Sequence, residues 1–244
     1  MLTAEELRKL AMRFGIPLGT IEKDYMLTSF LRNLSFLTKN LTFKGGTAIK
    51  KAYLATSRFS EDLDFTAIRR QNFEKILWKA VKGAGFELKS VVRGRKSFSA
   101  SVQYRGPLNY PSSILVEISS RERLLLPRKV IPVIHPYPDI PRFSFPTMHI
   151  KEIAAEKLRA AYMRGDSRDF FDLYQLARNF DLANVRETFF KKLKVLGVRF
   201  KEGRFQERLG GADMNQIGYL IPAEVKIDGE ELMAIMRERF AFVF

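Results

Sequence analysis

One stretch of this chain, Phe43 to Phe65, restricts what it can fold into more than any other. Leu41-Thr42-Phe43 is a short apolar run of β-branched and aromatic character, cut by Gly45-Gly46 and followed by Thr47-Ala48-Ile49-Lys50-Lys51-Ala52-Tyr53 at helical spacing. The order is strand, glycine bend, helix, with the helix expected to open at Thr47. Adjacent glycines admit positive φ and the close approach of a bulky anion, while a helix N-terminus offers unpaired N–H groups and a positive dipole end. Such a bend suits phosphate. Beyond Ser57-Arg58-Phe59-Ser60 the chain reads Glu61-Asp62-Leu63-Asp64-Phe65. Residues two apart on a strand share a face, so Asp62 and Asp64 should converge on one side while Leu63 and Phe65 pack on the other. Two carboxylates that close repel unless a cation lies between them, and an oxygen-only donor set beside phosphate selects Mg²⁺. Magnesium, as one ion or a pair, is the expected cofactor.

The composition narrows the chemistry. With 244 residues, 46% of them hydrophobic and 21 of them Phe, the chain can bury a sizeable core and is not disordered. It has no Cys, and its two His, His135 and His149, make no HExxH pattern, so disulfides, thiolate sites and that zinc arrangement are excluded. Carboxylates must carry any metal. No apolar run approaches the length of a membrane span, and the N-terminal residues read as an amphipathic helix start rather than a signal peptide, so a cytoplasmic location without a membrane partner is expected. Lys and Arg number 42 against 27 Asp and Glu, a net charge of +15. A field of that sign recruits polyanions, which makes nucleic acid the natural partner and an acidic protein the alternative.

The rest of the chain frames that stretch. Thr3 and Glu6 form a capping box for a helix from Ala4 to Phe14, stopped at Gly15. Thr20 is expected to cap a second helix, whose apolar side is Ile21, Tyr25, Leu27, Leu31 and Leu34. A helix from Asn72 to Val81 should end at Gly83-Ala84-Gly85. Three strands, Phe86 to Val92, Ser97 to Tyr104 and Ile114 to Ser119, form a meander. Between the first two, Arg93-Gly94-Arg95-Lys96 is a basic hairpin tip that either grips a phosphate backbone or is an exposed charged turn. The single charge in the third strand needs a reason. Read as buried on both faces, that strand does not tolerate an unpaired Glu, so Glu117 should meet bound metal, or else pair with Arg121 or Arg123 at an edge. Residues 124–146, rich in Pro, read as edge strand plus linker. Thr147 should cap a long helix through Met163. Gly165 ends it, Asp166 or Ser167 caps the next, and Arg168 and Asp172 lie one turn apart and can pair. A basic helix from about Leu182 to Leu193 and a closing helix from Glu230 to Phe240 complete an α+β chain.

Phe43-Lys44-Gly45-Gly46-Thr47-Ala48, followed by Arg58-Phe59-Ser60-Glu61-Asp62-Leu63-Asp64-Phe65, resembles the AbiEii/AbiGii-type nucleotidyltransferases. These are a branch of the DNA polymerase β-like superfamily that includes toxins of toxin–antitoxin and phage-defence systems. A second stretch resembles the same family in order and spacing: Glu156-Lys157, Arg164, Arg168-Asp169 and Asp172-Leu173-Tyr174. So does Lys23-Asp24-Tyr25, read here as scaffold. The resemblance spans roughly Thr20 to Leu176. It implies a polymerase β-like mixed sheet flanked by helices in residues 1–145, a mainly helical C-terminal lobe in 146–244, and transfer of a nucleoside monophosphate from a nucleoside triphosphate. By order and context Glu117 takes the place of the family's third carboxylate, where Asp is more usual.

The expected metal ligands are therefore Asp62, Asp64 and Glu117. Gly45, Gly46, Thr47, Lys50, Ser60 and Arg168 are the nucleotide-binding candidates. Lys157 is expected to contact phosphate across the cleft, and Asp169 or Asp172 to fix that lysine or the incoming group. The resemblance also implies a cognate antitoxin, a tRNA 3′ end as acceptor in some members and GTP preference in others. A catalytically silent binding module of the same fold and a protein-nucleotidylating enzyme are the rival readings.

Overall fold

The computed structural model describes residues 1–82 and 85–244, so the stop expected at Gly83 and Ala84 lies outside the described residues. The chain divides into two compact units, Met1–Met148 with Pro222–Glu224, and His149–Ile221 with Val225–Phe244.

In the first unit, α1 (Ala4–Phe14) carries the expected capping box, with Thr3 and Glu6 satisfying each other's backbone N–H groups, and it ends on left-handed Gly15. The second helix, α2 (Leu18–Leu37), starts before the cap expected at Thr20. Pro17 occupies the cap instead, and the N–H groups of Thr20 and Ile21 donate to its carbonyl at 3.0 and 3.2 Å. Proline's fixed φ pre-sets the first turn without a side-chain cap.

The strands are β1 (Leu41–Lys44), β2 (Asp62–Ala67), β3 (Phe86–Arg93), β4 (Ser97–Arg105), β5 (Pro111–Ser119), β6 (Lys129–Pro132) and β7 (Ser144–Thr147). They form one seven-stranded mixed sheet in the order β3-β4-β5-β2-β1-β7-β6. The β3-β4-β5 meander is as expected, whereas the segment read as edge strand plus linker contributes two strands. One of them, β7, lies inside the sheet, parallel to β1. Thr147 is accordingly the last residue of β7, not a helix cap; its hydroxyl donates to the Phe145 carbonyl at 3.0 Å. Between β1 and β2 run α3 (Gly45–Ala48) and a π-helical turn, Ile49–Tyr53; α4 (Phe73–Val81), capped by Asn72, follows β2.

Alternation on β2 does what the sequence requires. Leu63 and Phe65 are fully buried, and Phe65 joins Phe43 and Phe145 in a cluster with ring centroids 5.5 to 6.0 Å apart. Burying each such ring stabilises the fold by roughly 1.5–3 kcal/mol. This cluster fixes β1, β2 and β7 in register, and it leaves Asp62 and Asp64 to the opposite face.

The second unit is helical: α5 (Ile150–Arg164), α6 (Ser167–Asn179), α7 (Val185–Val195), α8 (Arg204–Gly210) and α9 (Gly229–Arg239). Left-handed Gly165 closes α5 and Asp166 caps α6 by accepting from the Arg168 N–H. The rings of Tyr162, Phe189, Phe190, Phe200 and Phe242 pack as one aromatic core. No helix among the described residues is long and apolar enough to cross a membrane.

Candidate active site

The bend after β1 is built against the β2 carboxylates. Lys44 pairs with Asp64 in the antiparallel β1–β2 register, so the chain turns away from the sheet beside that aspartate. Gly45 takes φ of 76°, and a Cβ added there would stand 2.3 Å from Asp64 Oδ2. Only glycine fits both the backbone and the space. A Cβ at Gly46 would stand 2.7 Å from Arg58 Nη2 and 3.2 Å from Ser60 Oγ. The helix opens at Gly45 rather than at Thr47, so the N–H groups of Gly45, Gly46 and Thr47 all belong to its first turn.

Parallel pairing of β2 with β5 sets Asp64 opposite Glu117, and β4 sets Ser99 opposite Glu117. Lys44, Asp64, Glu117 and Ser99 thus form one row across four strands. The strand that carries Glu117 is not buried on both faces: β5 is buried on one face only, and Glu117 lies on the exposed one. The row nevertheless places it next to Asp64. Among the described residues no group of three or more His, Cys, Asp or Glu side chains lies close enough to hold a metal ion. Asp62 and Asp64 supply two oxygen donors at strand spacing on a half-buried face, which suits a hard cation, and Glu117 is exposed.

Several expected ligands have other work. Thr47 spends its hydroxyl proton on the Asp62 carbonyl at 2.5 Å, tethering the bend to β2, so the expected hydroxyl contact to phosphate gives way to this bond. Lys50, expected at the phosphate, is turned inward: its ammonium donates to the carbonyls of Ala55 (2.9 Å) and Ser57 (2.8 Å) and sits 4.0 Å from the Phe59 ring centroid. Burial pulls it down to about 8, against the attraction of Asp24. It organises the loop that leads to Asp62. Its neighbour Lys51 is more deeply buried and bonds Asp24 at 2.9 Å, which Tyr137 also reaches at 2.6 Å. The scaffold reading of Lys23-Asp24-Tyr25 agrees with these contacts: Lys23 meets Glu61 at 3.5 Å and Tyr25 donates to Asp139 at 2.6 Å.

The cation beside the bend is Arg58 instead. It is 4% exposed, donates to the Phe59 carbonyl at 3.0 Å, and presents Nη2 to Gly46. Its place in the motif was visible in the sequence, but nothing local distinguishes an inward arginine from a surface one.

In the second unit, Lys157 is held by both candidate aspartates, at 2.8 Å from Asp169 Oδ1 and 2.8 Å from Asp172 Oδ2. Asp169 and Asp172 are fully buried, and Asp169 also accepts from Arg164 through Nε (2.7 Å) and Nη2 (3.0 Å). Burial pushes the Asp169 carboxyl up, yet Lys157 and Arg164 outweigh it and hold it below the ordinary carboxylate value. The pairing expected between Arg168 and Asp172 is not formed. Arg168 bonds Asp166 at 2.8 Å, because Asp172 faces inward to the lysine. Lys192, between Glu152 (2.9 Å) and Glu156 (2.8 Å), is a second buried cation of this unit that sequence reasoning placed only in a basic surface run.

A family model described as "Nucleotidyl transferase AbiEii toxin, Type IV TA system" matches residues 29–232. Among solved structures, the chain is similar to MenT4, a nucleotidyltransferase toxin from Mycobacterium tuberculosis H37Rv, with a TM-score of 0.76 and 25% identity over 100% of this chain and 90% of that one. It is also similar to JHP933 from Helicobacter pylori, with a TM-score of 0.62 and 19% identity over 93% and 94% of the two chains, a likeness of fold alone. No curated protein sequence matches it.

Proposed function

The chain belongs to the AbiEii nucleotidyltransferase toxin family, and from that premise we propose that it moves a nucleoside monophosphate from a nucleoside triphosphate to the 3′ end of an RNA, with Mg²⁺ as cofactor and tRNA as acceptor. It is a nucleotidyltransferase, and a type IV toxin implies an antitoxin partner and a nucleotide substrate. RNA as acceptor, GTP as a donor and a cytoplasmic setting are the finer parts of the proposal, and the net charge of +15 supports the first.

The observation that carries this reading is the junction of bend and carboxylate, where Asp64 Oδ2 fills the space a Gly45 side chain would need. In the proposal, backbone N–H groups of Gly45, Gly46 and Thr47 hold the triphosphate, helped by Ser60 and by Arg58 beside them. Asp62 and Asp64, with Glu117 as the third oxygen donor, would hold the cation. The bound ion supplies a lowered pKa for the attacking hydroxyl and charge neutralisation on the leaving pyrophosphate. Lys157 is the proposed phosphate-contacting cation of the second unit. Asp169 and Asp172 fix its ammonium, and Arg164 shares the Asp169 charge. Arg168, bonded to Asp166, keeps a nucleotide-binding role only as a proposal. Catalysis by such a set is positioning plus electrostatics and needs few residue types.

The test supplies each labelled nucleoside triphosphate with Mg²⁺ to the protein, with total RNA and separately with cell protein. Label should enter RNA, vanish with EDTA, and fall about 100- to 1000-fold in Asp64→Asn, whose circular dichroism should match wild type. Label in protein alone would select the protein-nucleotidylating alternative. An active Asp64→Asn variant would remove the catalytic assignment.

A further inference from the structure

The β3–β4 hairpin carries a feature that the catalytic reading leaves unused. A cavity of about 550 Å³ is lined by Arg70 and Gln71 after β2, Phe73 at the start of α4, and Arg95, Lys96 and Phe98 at the hairpin. Its floor is apolar and aromatic: Phe98 is buried, and Phe73 packs on it with centroids 5.9 Å apart. Its rim is basic. Arg70, Arg93, Arg95 and Lys96 are all exposed, and Arg93 is paired with Glu74. Arg70, Arg95 and Lys96 make no ion pair among the described residues. Cations gathered on one rim repel one another and do nothing for the fold, so the arrangement favours an anionic occupant.

The cavity lies at the hairpin end of the sheet. Its floor residues Phe98 and Ile118 are on the face that Phe65 buries, opposite Asp64 and Glu117, while Ser97 at its edge shares the carboxylates' face and lies two residues, roughly 7 Å along the strand, from Ser99, the register partner of Glu117. We infer that this cavity seats a nucleotide of the RNA acceptor, its base on Phe73 and its phosphates on Arg70, Arg95 and Lys96. The inference rests on the proposed RNA acceptor and names where that chain is gripped. An acidic peptide matches the rim but brings no planar partner to the aromatic floor, whereas every nucleic-acid base stacks on an aromatic face.

The triple variant Arg70→Ala/Arg95→Ala/Lys96→Ala tests this against Arg8→Ala/Lys9→Ala/Arg13→Ala, an equal charge loss on exposed positions of α1. Affinity for fluorescein-labelled total tRNA is followed by anisotropy over a salt series, and KM for tRNA and for nucleoside triphosphate by incorporation. The cavity variant should weaken tRNA binding and raise its KM tenfold or more, with KM for the nucleotide unchanged. Its salt slope should fall by about 2, as expected when three single-strand phosphate contacts are lost. The α1 variant should change tRNA affinity less than threefold. Equal effects in both variants, or none in either, overturn the inference while incorporation into RNA by the wild type leaves the proposed function standing. If the wild type binds tRNA through the cavity but labels no RNA, the acceptor reading falls and the RNA site survives it. Equal loss of binding to poly-glutamate of matched charge assigns an acidic-protein surface and overturns the inference.

Discussion

Replacing Gly45 with Ala separates a catalytic bend from an ordinary turn. The backbone there has φ of 76°, a region that costs an L-residue roughly 1–2 kcal/mol. The new Cβ would lie 2.3 Å from Asp64 Oδ2 and 3.1 Å from Asp64 Cγ, where ordinary contact starts at 3.4 Å. The carboxylate must therefore retreat by about 1 Å, and a misplacement of that size costs on the order of 100-fold in rate. Stability should fall by about 2 kcal/mol, lowering Tm by about 4–8 °C. Gly19→Ala is the control: nothing lies within 4 Å of its Cβ, it sits in the first turn of α2, and it should gain up to about 1 kcal/mol with full activity. Steady-state incorporation of labelled nucleotide and thermal melting by circular dichroism read both effects. If Gly45→Ala melts earlier yet keeps kcat/KM within threefold of wild type, the contact with Asp64 has no part in the chemistry and the reasoning fails.

Two further outcomes follow from the second unit. Lys157→Met leaves the fully buried Asp169 and Asp172 with Arg164 as the partner that bonds Asp169, and should cost about 3–5 kcal/mol at pH 7 by denaturant melts. An under-compensated buried carboxylate takes up a proton as pH falls, so the gap to wild type should narrow toward pH 5; a constant gap would point to lost packing instead. Asp166 is held at about 2, chiefly by the Arg168 side chain against the opposing effect of burial. A carboxylate held below its ordinary value stabilises fully above that value, and the gain is lost as pH falls through 2. Asp166→Asn keeps a capping oxygen, and because Arg168 is 40% exposed it should lose at most about 1 kcal/mol at pH 7, with the deficit shrinking as pH falls from 4 to 2. A deficit that stays constant between pH 7 and pH 2 would exclude the ion pair as its cause.

What could be read from the chain follows the range over which each signal acts. The capping box at Thr3, the stop at Gly165 and the alternation of Asp62, Leu63, Asp64 and Phe65 are local, and each stands in the structure as the sequence indicates. The helix starts at Thr20 and Thr147 misled because a good capping residue competes with its surroundings: Pro17 starts α2 earlier, and pairing with β1 and β6 draws Thr147 into the sheet. Glu117 drew attention for the wrong reason, since a strand's apolar content does not tell whether one face or both are covered. The fates of Lys50, Arg58 and Arg168 were hidden because a long basic side chain reaches many partners, and only the packed chain chooses among them.

Sequence alone settled the alternating carboxylates and the glycine bend, because side-chain period and backbone permission belong to a few consecutive residues. Tertiary structure decided that Asp64 abuts Gly45 and stands in register with Glu117, that Lys51 turns to Asp24 twenty-seven residues away, and that Lys157 is gripped by two buried aspartates. Those meetings join segments distant in sequence, and they are fixed by sheet pairing and by the cost of burying a charge without its counter-charge.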